Sequence, residues 1–290
     1  MISLPEAFLA MPRWWTEGGE WLAGLPAAVD RQCEMWGLEI DGPISHGSNA
    51  IVVRVSRDDE QLVLRMSPPG PDLPEHARAL RWWDGRGTVR LYDVDLPRGA
   101  MLLERLGDSL LDQPIGDAMA VLGRLMRRLA VPAPADAVST AANVSGRTPQ
   151  LQADWERLGK PFDQAQLTEA LRVAKHLSHT TSGLAANGDF HADQVLRGAR
   201  EPWIVVDPLL YRGDPECDLA RTLLTRVDEM ADGAEIRDHF ATIVSEAELD
   251  PERARDWVVF RALDYGLWGL AHRLTIDPER CRRILQAFVD

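Results

Sequence analysis

Between Ile44 and Glu104 the apolar residues fall into short, β-branched runs, and beyond Gly107 they recur every three or four positions. That change of period is the strongest constraint on the fold, because a strand alternates its faces while a helix gathers its apolar residues on one stripe. Ile51-Val52-Val53-Arg54-Val55 and Gln61-Leu62-Val63-Leu64-Arg65-Met66, joined by a polar stretch from Ser56 to Glu60, read as a hairpin. Gly47-Ser48-Asn49 stands at the turn entering the first of these strands, where small residues let backbone N–H groups approach a phosphate; Ser48 and Asn49 are therefore candidate nucleotide contacts. The break at Pro68-Pro69-Gly70-Pro71 precedes a helix over residues 75–83, and two further strands follow at 89–94 and 100–104. Residues 44–105 thus alternate β-β-α-β-β.

The first forty residues read as helical, with Trp14, Trp15, Trp21, Leu22, Leu25, Val29, Cys33 and Trp36 at helical spacing and Gly37 as the stop. This aromatic stripe suits core packing better than a ligand platform. Past Gly107, helices are expected over residues 118–129, 151–158, 166–177, 218–230, 234–247, 251–274 and 278–289. The expected class is α+β: a small antiparallel β-sheet N-terminal lobe over residues 1–105 and a larger helical C-terminal lobe over 106–290. Met101-Leu102-Leu103-Glu104-Arg105-Leu106 would cross between the lobes, and the cleft expected there makes Glu104 and Leu106 candidate nucleotide contacts.

Composition excludes several classes. No apolar run approaches the roughly 18 residues that a membrane span needs, so no membrane partner is expected. A formal charge of −13 disfavours a nucleic-acid partner. It either draws a cationic small molecule or serves solubility alone. Cys33, Cys217 and Cys281 are widely spaced and read as reduced thiols; with no secretory leader visible ahead of Met11, a cytoplasmic location is expected.

The chemistry concentrates in Asn187-Gly188-Asp189-Phe190-His191-Ala192-Asp193-Gln194-Val195-Leu196 and, shortly after, Trp203-Ile204-Val205-Val206-Asp207-Pro208. Phosphoryl transfer from ATP needs a carboxylate to orient the attacking hydroxyl, oxygen donors to hold Mg²⁺ and a cation for the phosphates. Asp189 fits the base, Gln194 an amide-oxygen ligand five residues on, and Asp207 the metal carboxylate at the end of a strand-like run. If these were turn residues only, their spacing would be coincidental.

This stretch resembles the H-G-D-x-H-x-x-N loop of the aminoglycoside phosphotransferase family, which has a protein-kinase-like fold. Gly213-Asp214-Pro215-Glu216-Cys217-Asp218-Leu219-Ala220 resembles its G-D-P-x-x-D-L-A sequel. The Val206-Asp207-Pro208 form and Asp84-Gly85-Arg86-Gly87-Thr88-Val89-Arg90-Leu91 are most like the streptomycin 6-phosphotransferase and hydroxyurea phosphotransferase branch. The resemblance implies a bilobal kinase fold, ATP and Mg²⁺ as cofactors, and a small-molecule hydroxyl acceptor of streptomycin type. It departs at Asn187, where the family has His; at Gln194, where it has Asn; and at Arg65, which stands where it has the phosphate-binding Lys. Glu75 is the expected acidic partner of Arg65, with Asp72 as its rival. His191 and Asp193 are expected to hold the loop, and Asp214 and Asp218 to fill turn and N-cap roles. Asp228, Glu229, Asp264 and Trp268 are candidate acceptor contacts. A metabolite kinase and a nucleotide-binding pseudokinase stay open as alternatives.

Overall fold

A computed structural model describes residues 2–11, 18–180 and 182–289. Trp14 and Trp15 of the expected aromatic stripe lie outside the described residues. The chain divides into two compact units, Met1–Gly107 and Asp108–Asp290.

In the first unit, a short helix α1 (Glu6–Leu9) and the longer α2 (Gly19–Trp36) lie within the first forty residues, which read as helical. Gly37 adopts φ 62° and its N–H returns to Glu34, which closes α2 in the left-handed conformation that glycine accepts without strain. Five antiparallel strands follow in the order β1-β2-β3-β5-β4: β1 (Glu39–His46), β2 (Ile51–Arg57), β3 (Glu60–Met66), β4 (Leu91–Asp95) and β5 (Ala100–Glu104). The sequence reading missed β1. It is a largely exposed edge strand whose register shifts between Ile40 and Ile44, around Gly42-Pro43, so it carries neither a clean alternation nor an unbroken apolar run. The β2–β3 turn is Asp58-Asp59, both at positive φ (48° and 68°), as a two-residue I′ hairpin requires. One face of this sheet buries Val53, Leu62, Leu64 and Leu102 against Leu25 and Val29 of α2, and α3 (Asp72–Trp83) follows β3.

The second unit is mainly helical: α4 (Ile115–Leu129), α5 (Thr140–Arg157), α6 (Gln164–Leu177), α7 (Leu219–Leu224), α8 (Gly233–Ala247), α9 (Pro251–Ala271) and α10 (Asp277–Phe288). Helix α5 begins well before the expected residue 151. Ser139 caps it, its Oγ accepting from Ala142 N at 3.3 Å, and Gly146 and Pro149 had masked the helical period. The helix expected over 218–230 is broken into a 3₁₀ turn (Pro215–Asp218), α7 and a second 3₁₀ turn (Val227–Glu229). The buried Arg226 fixes the break by donating to Gln113 O and to Glu229. Short strands β6 (Val138–Ser139), β7 (Leu184–Ala186) and β10 (Tyr211–Gly213) form one small sheet in the order β6-β10-β7, and β8 (Val195–Arg197) pairs with β9 (Trp203–Val205). Among the described residues no helix is long and apolar enough to cross a membrane.

Candidate active site

The loop after β7 is anchored by buried apolar residues, with His191 and Gln194 buried among them. Phe190, Ala192 and Val195 are buried, and Asp189 just ahead of them is partly exposed. Its backbone is tied to the start of α7. Asp218 Oδ2 accepts from Asn187 N at 3.1 Å, Asp218 Oδ1 from Phe190 N at 3.4 Å, and Thr222 Oγ1 donates to Phe190 O at 2.9 Å. Asp218 stands at the N-cap position of α7 as expected, but its side chain makes no capping bond there and holds the loop instead. Burial pushes its pKa up to about 7, against the pull of the Phe190 and Asn187 amides toward ionisation. Asp214 likewise stands at the N-cap position of its 3₁₀ turn without a side-chain capping bond. It is a buried acceptor for Thr180 Oγ1, Arg253 and Trp257 Nε1, the last at 2.9 Å.

Asn187, in the position where the resembled motif has His, accepts from Leu209 N through Oδ1 at 3.0 Å. Val206 N donates to Gln194 O at 2.9 Å. These two bonds bracket Asp207 and stitch its segment to the loop. Gly188 has φ 85°, and a Cβ built there would run into the Tyr211 ring, so only glycine fits both the backbone and the neighbour.

Both Asp189 oxygens are engaged. Oδ1 accepts from Arg221 Nε at 2.8 Å and Oδ2 from Gln194 Nε2 at 3.3 Å, with His191 Nε2 at 3.8 Å from Oδ2. His191 Nδ1 lies 3.7 Å from Asp193 Oδ1, so His191 stands between the two carboxylates. Gln194 is buried, and since its nitrogen faces Asp189 its Oε1 points elsewhere, without a hydrogen-bond partner. An orphaned buried amide oxygen beside a carboxylate-bearing strand end fits a hard cation that completes its shell with nucleotide oxygens and water. Among the described residues no three His, Cys, Asp or Glu converge on a metal position, and a site of that kind needs no such convergence.

In the first unit, Arg65 is 7% exposed. Register places it opposite Val52 and Met101 in the middle of the sheet. Its Nη2 donates to Asn49 Oδ1 at 3.4 Å and its Nη1 to Ser67 Oγ at 3.3 Å, so Arg65 and Asn49 are brought together. Ser48 is exposed in the same β1–β2 turn. Glu75 does not take the expected place beside Arg65: it is exposed in the first turn of α3, 3.9 Å from Arg78. Glu104 Oε2 accepts from Arg90 N at 3.2 Å, and Leu106 is half-buried two residues beyond β5.

A cavity of about 260 Å³ lies against Gly188, lined by Thr140, Asn143, Arg147, Tyr211, Arg261 and Asp264. A smaller one joins Asp189 to Arg221, Arg261 and Tyr265. Of the expected acceptor contacts only Asp264 lines the larger cavity, and its Oδ1 already accepts from Arg147 Nε at 2.5 Å. Asp228 pairs with Arg280 and Arg283, Glu229 with Arg226, and Trp268 stacks between Tyr265 and His272. Sequence reasoning missed Arg221, Tyr211 and Arg261, which no local motif marks; only the fold carries α7 and α9 to the loop.

A family model described as aminoglycoside/hydroxyurea antibiotic resistance kinase matches residues 35–272. Streptomycin 6-kinase of Streptomyces griseus is 33% identical over 268 residues, covering 89% of this chain and 87% of that protein. Hydroxyurea phosphotransferase of Kitasatospora aureofaciens is 31% identical over 270 residues, covering 91% and 78%. Among solved structures, a thermostable mutant of aminoglycoside phosphotransferase APH(4)-Ia in ternary complex with AMP-PNP and hygromycin B superposes with a TM-score of 0.63. Its sequence identity is 15%, and the match covers 89% of this chain and 97% of that one. The chain has the protein-kinase-like fold and belongs to the aminoglycoside/hydroxyurea antibiotic resistance kinase family.

Proposed function

We propose that this protein is an ATP- and Mg²⁺-dependent O-phosphotransferase acting on a hydroxyl of a polar, aminoglycoside-like small molecule, with streptomycin as the first candidate and antibiotic resistance as the outcome. The observation that carries the reading is Asp189, held at both oxygens beside a buried Gln194 whose own oxygen has no partner. In the reaction the acceptor oxygen forms a bond to the γ-phosphorus while the bond from that phosphorus to the bridging oxygen breaks. Asp189 orients the hydroxyl and takes its proton, and ADP leaves with the bridging oxygen. Position matters more than basicity here, because in a loose transition state the proton moves late. Gln194 Oε1 and Asp207 are the groups that would hold Mg²⁺, which when bound neutralises charge on the phosphate oxygens. Arg65 supplies the cation for the phosphates, with Asn49 fixing its guanidinium and Ser48 offering its turn; Glu104 and Leu106 are assigned to the nucleotide's other end. Arginine in this role keeps the charge and adds bidentate contacts.

One observation favours a second reading, a kinase of a sugar or other metabolite. Arg261 lines both cavities and, among the described residues, makes no hydrogen bond or ion pair, while Asp264 opposite is already matched by Arg147. Such a wall suits an oxygen-rich acceptor at least as well as a cationic one. ADP release from Mg-ATP, measured over a panel of streptomycin, other aminoglycosides and sugars, tests both. Turnover on streptomycin supports the first reading, turnover on sugars alone replaces it with the second, and ATP binding without turnover on any acceptor would reduce the protein to a pseudokinase.

A further inference from the structure

The Asp189 side chain has a problem that its loop alone does not solve. The loop backbone is fixed by Asp218 and Thr222, yet the Asp189 side chain is 40% exposed and follows a glycine at φ 85°. One restraint on it, Gln194, belongs to the same loop and shares its motion. The other, Arg221, comes from α7. Its Nε donates to Asp189 Oδ1 at 2.8 Å, and its guanidinium lies 5.4 Å from the centre of the Tyr265 ring. Tyr265 is in turn held through its hydroxyl, which donates to Asp277 Oδ2 at 2.9 Å at the start of α10. Asp189, Arg221 and Tyr265 line one small cavity.

We propose that Arg221 is a positioning residue for phosphoryl transfer, fixing the Asp189 carboxylate from outside its loop while the Tyr265–Asp277 pair fixes Arg221. The bland alternative is a salt bridge that only anchors α7. That helix does not need one: Leu219, Leu223 and Leu224 are buried, and Thr222 already bonds to Phe190 O. Lysine would keep the charge and lose the directed Nε–H and the flat face that rests on Tyr265. A charge already matched to Asp189 also turns acceptor cations away from the base, so any ammonium or guanidinium of the acceptor would seat elsewhere in the cavity.

The inference rests on reading Asp189 as the base, and a double-mutant cycle tests the two separately. Asp189→Ala, Arg221→Met, their combination and Arg221→Lys are assayed for ADP release with Mg-ATP and streptomycin, alongside thermal melts. Arg221→Met is expected to lower kcat on the order of 10²-fold, the cost of a misplaced catalytic group, with KM for ATP and acceptor within about threefold. Arg221→Lys should recover about tenfold of that loss, and the double variant should be no slower than Asp189→Ala. An unchanged kcat in Arg221→Met overturns the proposal, and so does a double variant slower than Asp189→Ala by the full Arg221 factor. An unaffected Asp189→Ala sinks the base itself. Should Arg221→Met melt below the assay temperature, Arg221→Gln takes its place with the same outcomes. If the wild-type protein does not turn over streptomycin, that acceptor is wrong, and the cycle is read on ADP released with water as the acceptor.

Discussion

Asp218→Ala separates what the buried carboxylate does for the loop from what it costs the fold. Asp218 is 2% exposed and accepts from Asn187 N and Phe190 N. Truncation leaves two buried N–H groups without acceptors, at about 1–3 kcal/mol each, so about 2–6 kcal/mol of stability is at stake. Against that stands desolvation, which raises the carboxyl from 3.8 to about 7. Between those values the native chain keeps a proton that the unfolded chain has released. The group's contribution to stability is therefore complete below the unfolded pKa and declines as pH rises through the folded one. Integrated from about pH 5 to about pH 8, the decline is about 2–3 kcal/mol. Urea unfolding of both proteins at those two pH values should show Asp218→Ala more destabilising at the lower pH by that amount. ADP release at neutral pH should fall at the same time, because the Asp189 loop loses its anchor. A destabilisation that is independent of pH, or larger at high pH, would refute the assignment of a buried, desolvated carboxylate.

Other outcomes follow from single contacts. Gly188→Ala must place a Cβ at φ 85° and into the Tyr211 ring, so it should lower stability by about 2–5 kcal/mol; pairing it with Tyr211→Ala should recover the packing part but not the backbone part, read by thermal melts. Gln194→Leu removes the whole side-chain amide, both the orphaned oxygen and the Nε2 that donates to Asp189. It should raise the Mg²⁺ concentration for half-maximal activity about tenfold or more while leaving the melting temperature near that of wild type, and an unshifted Mg²⁺ dependence would remove Gln194 from the metal site.

The sequence made the candidate catalytic loop legible because its chemistry is local. Asp189, Gln194 and Asp207 lie within one loop and the strand end after it, where residue type and spacing carry the message. Local patterning also showed β2, β3 and β5, which are rich in β-branched and other apolar residues. It failed where structure is decided at a distance. β1 is defined by pairing with β2 across a bulge rather than by its own alternation. Asp218 looks like a helix cap because it precedes Leu219, and only tertiary geometry turns its carboxylate toward the amides of residues 187 and 190. Glu75, read as the partner of Arg65 from the expected order of elements, stands instead at an exposed helix start. Arg221 and Arg261 carry no motif at all. They line a cavity with Asp189 because α7 and α9 fold onto the loop.

The central claim is that Asp189 accepts the proton of the attacking hydroxyl. Its most direct test is kcat for ADP release by Asp189→Ala under saturating Mg-ATP and acceptor. The predicted result is a loss of at least about 10²-fold with the KM for ATP unchanged, and a rate equal to wild type would contradict the claim.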